Sequence, residues 1–167
     1  MKALVTGGAG FIGSHLVDRL LKDGHEVLVV DHFSKGKLEN LPKNHRLEAW
    51  QTDILEDIDY LFDGVDVVFH LAALTRPRES MKNPKETFKV NVEGTRKVLD
   101  ACRDNNVKKV IFMSSAATYG TKTRFPTNEN DEQNPESPYA ESKVQGEELC
   151  RMYEKAHGLK NKHYPTI

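Results

Sequence analysis

Two side chains in this sequence have the types and spacing of an acid–base pair: Tyr139 and Lys143, four residues apart. The stretch Pro138–His157 reads as a helix, so the two share one face. A tyrosine ordinarily ionises at about pH 10 and is a poor base near neutrality. A lysine ammonium one turn away favours the phenolate and brings the group toward the working range of a proton-transfer catalyst. A YxxxK spacing alone is a common accident. Here Ser114-Ser115 ends the apolar run Lys109–Ser114, which reads as a strand. A hydroxyl at the carboxyl end of such a strand can hold the oxygen whose proton the tyrosine moves.

A second group of residues points to a dinucleotide. Thr6–Gly13 reads TGGAGFIG and joins a short apolar strand, Lys2–Thr6, to a helix over 10–23. Gly7 permits the tight turn, Gly10 lets backbone approach a pyrophosphate, and Gly13 lets helix and strand pack closely. The N-terminus of that helix then offers free N–H groups and the positive end of the helix dipole to phosphate. Asp31 closes the next strand, Glu26–Asp31, where a carboxylate can accept hydrogen bonds from the adenosine ribose. The same charge repels a 2′-phosphate, and no arginine follows it, so NAD is expected rather than NADP. Two readings stand for Asp53: a carboxylate that reaches the adenine amino group, or a helix cap or solvated acid. Two also stand for Leu71-Ala72-Ala73: small residues beneath a cofactor, or plain core packing.

Strands and helices must alternate to hold these residues. Strands are expected at 2–6, 26–31, 46–51, 65–70 and 109–114, with helices at 10–23, 85–105 and 138–157. That pattern gives an α/β fold: a doubly wound parallel sheet with helices on both faces. Residues 32–44 read as a loop or short helix, and 121–138 as a long ordered loop.

The bulk properties exclude other classes. The chain has 167 residues, with 24 Lys+Arg against 25 Asp+Glu and a net charge of -1. That balance gives no reason to expect nucleic acid or an anionic membrane as a partner. No apolar run approaches the roughly 20 residues that span a bilayer. The start lacks the pattern of a signal peptide, so a cytoplasmic protein is expected. Cys102 and Cys150 have no metal-ligand spacing and read as reduced thiols; no metal is expected.

The motifs together resemble the extended short-chain dehydrogenase/reductase family, the NAD-dependent sugar-nucleotide epimerases and dehydratases. The matching segments are TGGAGFIG at 6–13, HLAA at 70–73, NVEGT at 91–95, SSAATYG at 114–120 and SPYAESK at 137–143. They occur in the family's order and cover residues 1 to about 159. The resemblance implies a Rossmann-type domain over 1–160 and a catalytic triad of Ser115, Tyr139 and Lys143. It implies cofactor contacts from Gly7, Gly10, Phe11, Ile12, Gly13, Asp31, Asp53, Ile54, Leu71, Ala72, Ala73, Asn91, Tyr139 and Lys143. It also implies a nucleotide-sugar partner such as a UDP-sugar, and a homodimer through Lys85–Asn105 and Pro138–His157.

One position separates chemistries within the family. The 4,6-dehydratases and the decarboxylase carry an acid just after the strand-end Ser/Thr, to move protons at other sugar carbons. Here Ala116 and Ala117 stand there. Epimerisation at carbon 4 needs only the tyrosine and the cofactor, and the segment Val30–Leu41 resembles the corresponding loop of UDP-glucose 4-epimerases. The alternatives are another sugar-nucleotide oxidoreductase or dehydratase of the family, or a non-catalytic dinucleotide-binding module.

The resemblance also implies further C-terminal strands and a small substrate domain. Residues 161–167, NKHYPTI, are polar, and Pro165 would break the ladder of a central strand, so this tail is not expected to fill the sixth strand slot. Moving its codons forward by one base permits a β-branched strand ending Leu-Arg-Tyr, which suggests a frameshift. The stretch alone is therefore expected to form an incomplete sheet, to associate, to bind NAD weakly and to lack useful turnover.

Overall fold

The computed structural model describes residues 1–122 and 126–164. Six strands run β1 (Lys2–Thr6), β2 (Glu26–Asp31), β3 (Leu47–Gln51), β4 (Val67–His70), β5 (Lys109–Met113) and β6 (Lys160–Tyr164). They form one sheet in the order β3-β2-β1-β4-β5-β6, with every pair parallel. The order reverses between β1 and β4. A crevice opens there at the carboxyl ends of the strands, where open parallel sheets bind ligands.

The four inner strands, β2, β1, β4 and β5, are apolar on both sides because both sides are covered. On one face Ala3, Val5, Val27 and Val29 pack against Val17, Leu20 and Leu21 of α1 (Phe11–Lys22). On the other, Leu4, Leu28, Val68, Val110 and Phe112 pack against α4 (Gly94–Asp104) and α5 (Pro138–His157). Gly146 lets α5 lie directly on β5, since a Cβ there would come within 2.4 Å of the Phe112 ring. Cys102 and Cys150 are both buried thiols in this second core, and burial pushes each above the ordinary thiol range.

Two expectations need correction. The first is the single helix over 85–105. It is instead α3 (Pro84–Phe88), a π-helical turn (Lys89–Glu93) and α4, preceded by a short α2 (Pro77–Lys82). Sequence periodicity did not show the π turn, which inserts a residue without changing side-chain polarity. It did not show α2 either, a single polar turn whose Met81 is exposed.

Residues 32–44, read as a loop or short helix, form a loop with a 3₁₀ turn at Leu38–Asn40. The second correction is the tail. Lys160–Tyr164 does fill the sixth strand slot, with Lys109 opposite Lys160 and Met113 opposite Tyr164. The slot is a sheet edge here, so β6 pairs on one side only and its polar residues are tolerated. Pro165, Thr166 and Ile167 lie outside the described residues, as do residues 123–125 of the expected 121–138 loop.

The tail's polarity leaves a mark. The Asn161 side chain turns under α5, where its Nδ2 donates to Cys150 O at 2.6 Å and to Leu159 O at 2.8 Å. Its Oδ1 is buried with no partner among the described residues. An unsatisfied buried acceptor costs more than a typical hydrogen bond returns. Asn161→Val is therefore expected to stabilise the chain by about 1 kcal/mol, raising the thermal midpoint by roughly 2–4 °C. Circular dichroism melting measures this, and a lowered midpoint would contradict it.

Candidate active site

The glycine loop turns sharply after β1. Gly7 has φ +68°, and a Cβ on it would lie 2.8 Å from Ala72 N. A Cβ on Gly13 would lie 2.3 Å from Gly7 O, so both glycines are required by the turn's own packing. Gly10 differs: its Cβ would meet only Gly7 O, at 3.3 Å, so this is where the loop's backbone stays open. The helix that follows has no side-chain cap and no acid in its first turn. Its N-terminal dipole and N–H groups are thus left for an anion from outside. Phe11 is 82% exposed beside this end.

A cleft of about 650 Å³ opens over the loop. That is the size of a site for a large organic cofactor or ligand. Gly7, Gly10, Phe11, Ile12 and Gly13 form one wall, with Asp31 at its end. Leu71, Ala72 and Ala73 line its floor, and Tyr139 and Lys143 stand at the far side. The acid–base pair and the glycine loop therefore share one cavity.

Asp31 is held from two sides. Its Oδ2 accepts from Ala9 N at 3.0 Å and its Oδ1 from Phe33 N at 2.8 Å. Phe33 adopts φ 57°, a left-handed turn that brings its N–H back onto the carboxylate. Residues 34–36 then fold over the loop, with Gly36 against Ala9.

Four expected residues do not line the cleft. Asp53 Oδ1 accepts from Leu55 N at 2.9 Å in a local turn, and no helix starts at this position. Ile54 is buried in the core, packed on Gly94. Asn91, also buried, braces the floor from behind: its Oδ1 accepts from Leu74 N at 2.7 Å, and its Nδ2 donates to Leu74 O and Ser142 Oγ. Ser115 caps the turn that follows β5, its Oγ accepting from Ala117 N at 3.2 Å. The neighbouring Ser114 lies on the cleft wall instead.

Burial sets the electrostatics of the pair. Lys143 is buried, and its Nζ donates to Met113 O at 2.9 Å and lies 4.9 Å from the Phe112 ring centre. Desolvation pushes its ammonium down to about 8, while Cys150 and Glu147 resist that fall. Tyr139 is buried at the start of α5, and its N–H donates to Ser80 Oγ at 3.0 Å. Ser80 in turn donates to Pro77 O at 2.6 Å, which ties α2 to the first turn of α5.

Several cleft residues were not expected: Ser34, Lys35, Arg76, Glu79, Ser80 and Asn83. Gly36 signalled the first two, since a glycine inside a polar loop marks a close approach. Nothing in the sequence signalled Ser80. Arg76 and Glu79 pair at 2.6 Å on the rim.

A model of the NAD-dependent epimerase/dehydratase family matches residues 3–162. The chain belongs to that family. It is 41% identical over 170 residues to a UDP-glucose 4-epimerase of Mycolicibacterium smegmatis, covering 98% of this chain and 54% of the relative. Among solved structures it is similar to the UDP-glucose 4-epimerase of Thermotoga maritima with UDP-glucose, with a TM-score of 0.93 and 37% identity, covering 99% of this chain and 55% of that one. It is also similar to a dTDP-glucose 4,6-dehydratase of Streptomyces venezuelae with NAD bound: TM-score 0.93, 32% identity, covering 98% and 54%. The chain thus spans about half the length of the relatives it matches. The Rossmann-type expectation for this NAD-dependent family holds, and the strand order adds a switch point between β1 and β4. Among the described residues no helix is long and apolar enough to cross a membrane, and no group of three or more His, Cys, Asp or Glu is placed to hold a metal.

Proposed function

We propose that this chain forms the NAD-binding half of a sugar-nucleotide 4-epimerase that interconverts UDP-glucose and UDP-galactose. The observation that carries the reading is the single cleft that joins an uncapped, glycine-led helix end to Tyr139 and Lys143. The residues present fit the cofactor. The open backbone at Gly10 and the first turn of α1 would take its pyrophosphate, and Asp31 the adenosine ribose. Bound NAD would supply oxidation and re-reduction at the sugar carbon. The chain's own residues move the proton. Tyr139 Oη takes it from the 4-hydroxyl and returns it, and Lys143 favours the phenolate; the sugar oxygen falls to the strand-end serine pair, of which Ser114 lines the cleft and Ser115 caps the next turn.

The choice of epimerase over dehydratase rests on Ala116 and Ala117, which open the turn after β5. Neither can move a proton at a second sugar carbon. The backbone does not separate the two chemistries, because the chain is as similar in fold to the dehydratase as to the epimerase. A homodimer through Lys85–Asn105 and Pro138–His157, and a cytoplasmic setting, belong to the same reading.

Calorimetric titration of the chain with NAD and NADP tests the cofactor. NAD is expected to bind weakly, yet tighter than NADP by on the order of tenfold or more, because a 2′-phosphate would meet the Asp31 carboxylate at short range. Equal or tighter binding of NADP would sink the role given to Asp31.

A further inference from the structure

One ionisable group near the cleft has no part in the mechanism above. Glu147 is only 4% exposed, although it is a carboxylate. It sits on α5, one turn beyond Lys143 and two beyond Tyr139. Its Oε1 accepts a short hydrogen bond from Ser114 Oγ. Its Oε2 accepts from Gln133 Nε2 at 2.9 Å and lies 3.6 Å from Arg151 Nη1. A buried carboxylate is costly unless it is hydrogen-bonded and set against positive charge. Arg151 only partly meets that need, since its side chain is 46% exposed.

The two turns of α5 act on consecutive residues of one strand end. Lys143 grips the Met113 carbonyl, and Glu147 grips the hydroxyl of Ser114. Cation and anion thus straddle the strand end that leads into Ser115. Gln133 adds a third point of attachment, from the segment that leads into α5.

We propose that Glu147 is a positioning residue of the candidate site: its buried carboxylate fixes the strand end carrying Ser114 and Ser115, and supplies the negative charge against which the Lys143 ammonium is set. The importance of that charge rests on the reading that Lys143 works as a cation beside Tyr139; the measurement below does not.

Among the described residues, the groups that act on Lys143 are Glu147 and Cys150 on its own helix, His70 from β4, and the Met113 carbonyl and the Phe112 ring from β5. Cys150 is pushed up to about 12 and is an uncharged thiol at neutral pH. His70 is neutral there too, since burial holds it down at about 3. Glu147 is therefore the anion at hand, and it opposes the burial that drives Lys143 toward the neutral amine. Glu147→Gln removes the charge but keeps an oxygen for Ser114 and, by a turn of the Gln133 amide, the second hydrogen bond.

The test is a titration of the chain labelled with ¹³C-lysine. The Lys143 Cε resonance is assigned by its loss in Lys143→Met. In Glu147→Gln the Lys143 midpoint is expected to move down by on the order of one pH unit. In Glu147→Asp, which keeps the charge, it returns toward the native value. A midpoint in Glu147→Gln that coincides with the native one overturns the proposal. Should that variant fail to fold, the native chain still decides. In native chain labelled with ¹³C-glutamate as well, the Glu147 Cδ resonance must show an inflection at the Lys143 midpoint, and a flat trace overturns the proposal. If the midpoint moves as expected but Tyr139→Phe leaves turnover intact, the pairing stands and the catalytic reading falls.

Discussion

Tyr139→Phe is expected to lower turnover by about 10²- to 10⁴-fold while leaving NAD binding within a few-fold of native. The measurement needs a substrate-binding half. Joined to the second half of the Mycolicibacterium smegmatis relative, of which it spans 54%, the chain is expected to interconvert UDP-glucose and UDP-galactose. Alone it is expected to show no useful turnover, because a catalyst must hold its substrate in reactive geometry and the chain spans only about half the length of the relatives it matches. The size of the effect follows from the role. The phenol contributes one positioned proton transfer, and removing it leaves binding and orientation untouched. Its position does not depend on its hydroxyl: the backbone N–H is held by Ser80 Oγ, and the helix by the Gly146–Phe112 contact. The ring should therefore stay in place in the variant. A Tyr139→Phe chimera that turns over as fast as its parent would remove Tyr139 from the mechanism. Robust turnover by the unjoined chain would instead show that the sugar is gripped without the second half.

Most of the fold was legible because its signals are local. Each buried strand is a short β-branched run, and the glycine loop states its own turn. Strand–helix alternation pointed to a parallel sheet covered on both faces, though not to the order of its strands. The failures share a cause. The π turn at 89–93 and the single-turn α2 carry no periodic apolar signature, so neither was readable. The tail was misjudged because its polarity was weighed against a central strand, whereas β6 lies at an edge and pairs through backbone alone. Asn161, with its unpartnered oxygen, shows what that polarity costs.

The site divides in the same way. Residues whose chemistry is carried by spacing, such as Tyr139 with Lys143 on one helix and the glycine loop with Asp31 at the end of the next strand, line one cleft. Residues whose placement depends on packing between elements were not separable in sequence. Asp53, Ile54 and Asn91 were expected at the cofactor, but one closes a turn, one packs in the core and one braces the floor. Ser80 and Glu147 hold Tyr139 and Ser114 from other elements, and no spacing rule connects residues 59 or 33 positions apart.

His70 is expected to make the folded chain lose stability as the pH falls below its ordinary value of about 6.5. The ring is fully buried between β1, β4 and the helix that carries Asn91 and Thr95. Its hydrogen bonds fix its tautomer. Thr95 Oγ1 donates to Asn91 O at 2.6 Å, so it accepts from His70 Nε2–H at 2.9 Å. Thr6 Oγ1 accepts from Ala72 N at 3.2 Å, so its proton goes to His70 Nδ1 at 2.6 Å. A second ring proton would therefore face a donor, in a site that burial and the Lys143 charge already hold down to about 3. The unfolded chain takes that proton at about 6.5 and the folded chain does not. The unfolded state thus binds more protons between those values, and the stability His70 contributes, complete above about 6.5, is lost as the pH falls toward 3. At about 1.36 kcal/mol per unit, the loss from pH 6.5 to pH 5 is about 2 kcal/mol. Urea unfolding at a series of pH values measures it, and comparison with His70→Gln separates it from other groups. The variant is expected to be less stable at pH 7.5, because Gln cannot span Thr6 and Thr95 as the ring does. Its stability should also fall less steeply with acid. Parallel slopes for the two chains would mean that His70 takes up a proton as readily folded as unfolded, and that the four-residue relay under the cleft floor does not hold it neutral.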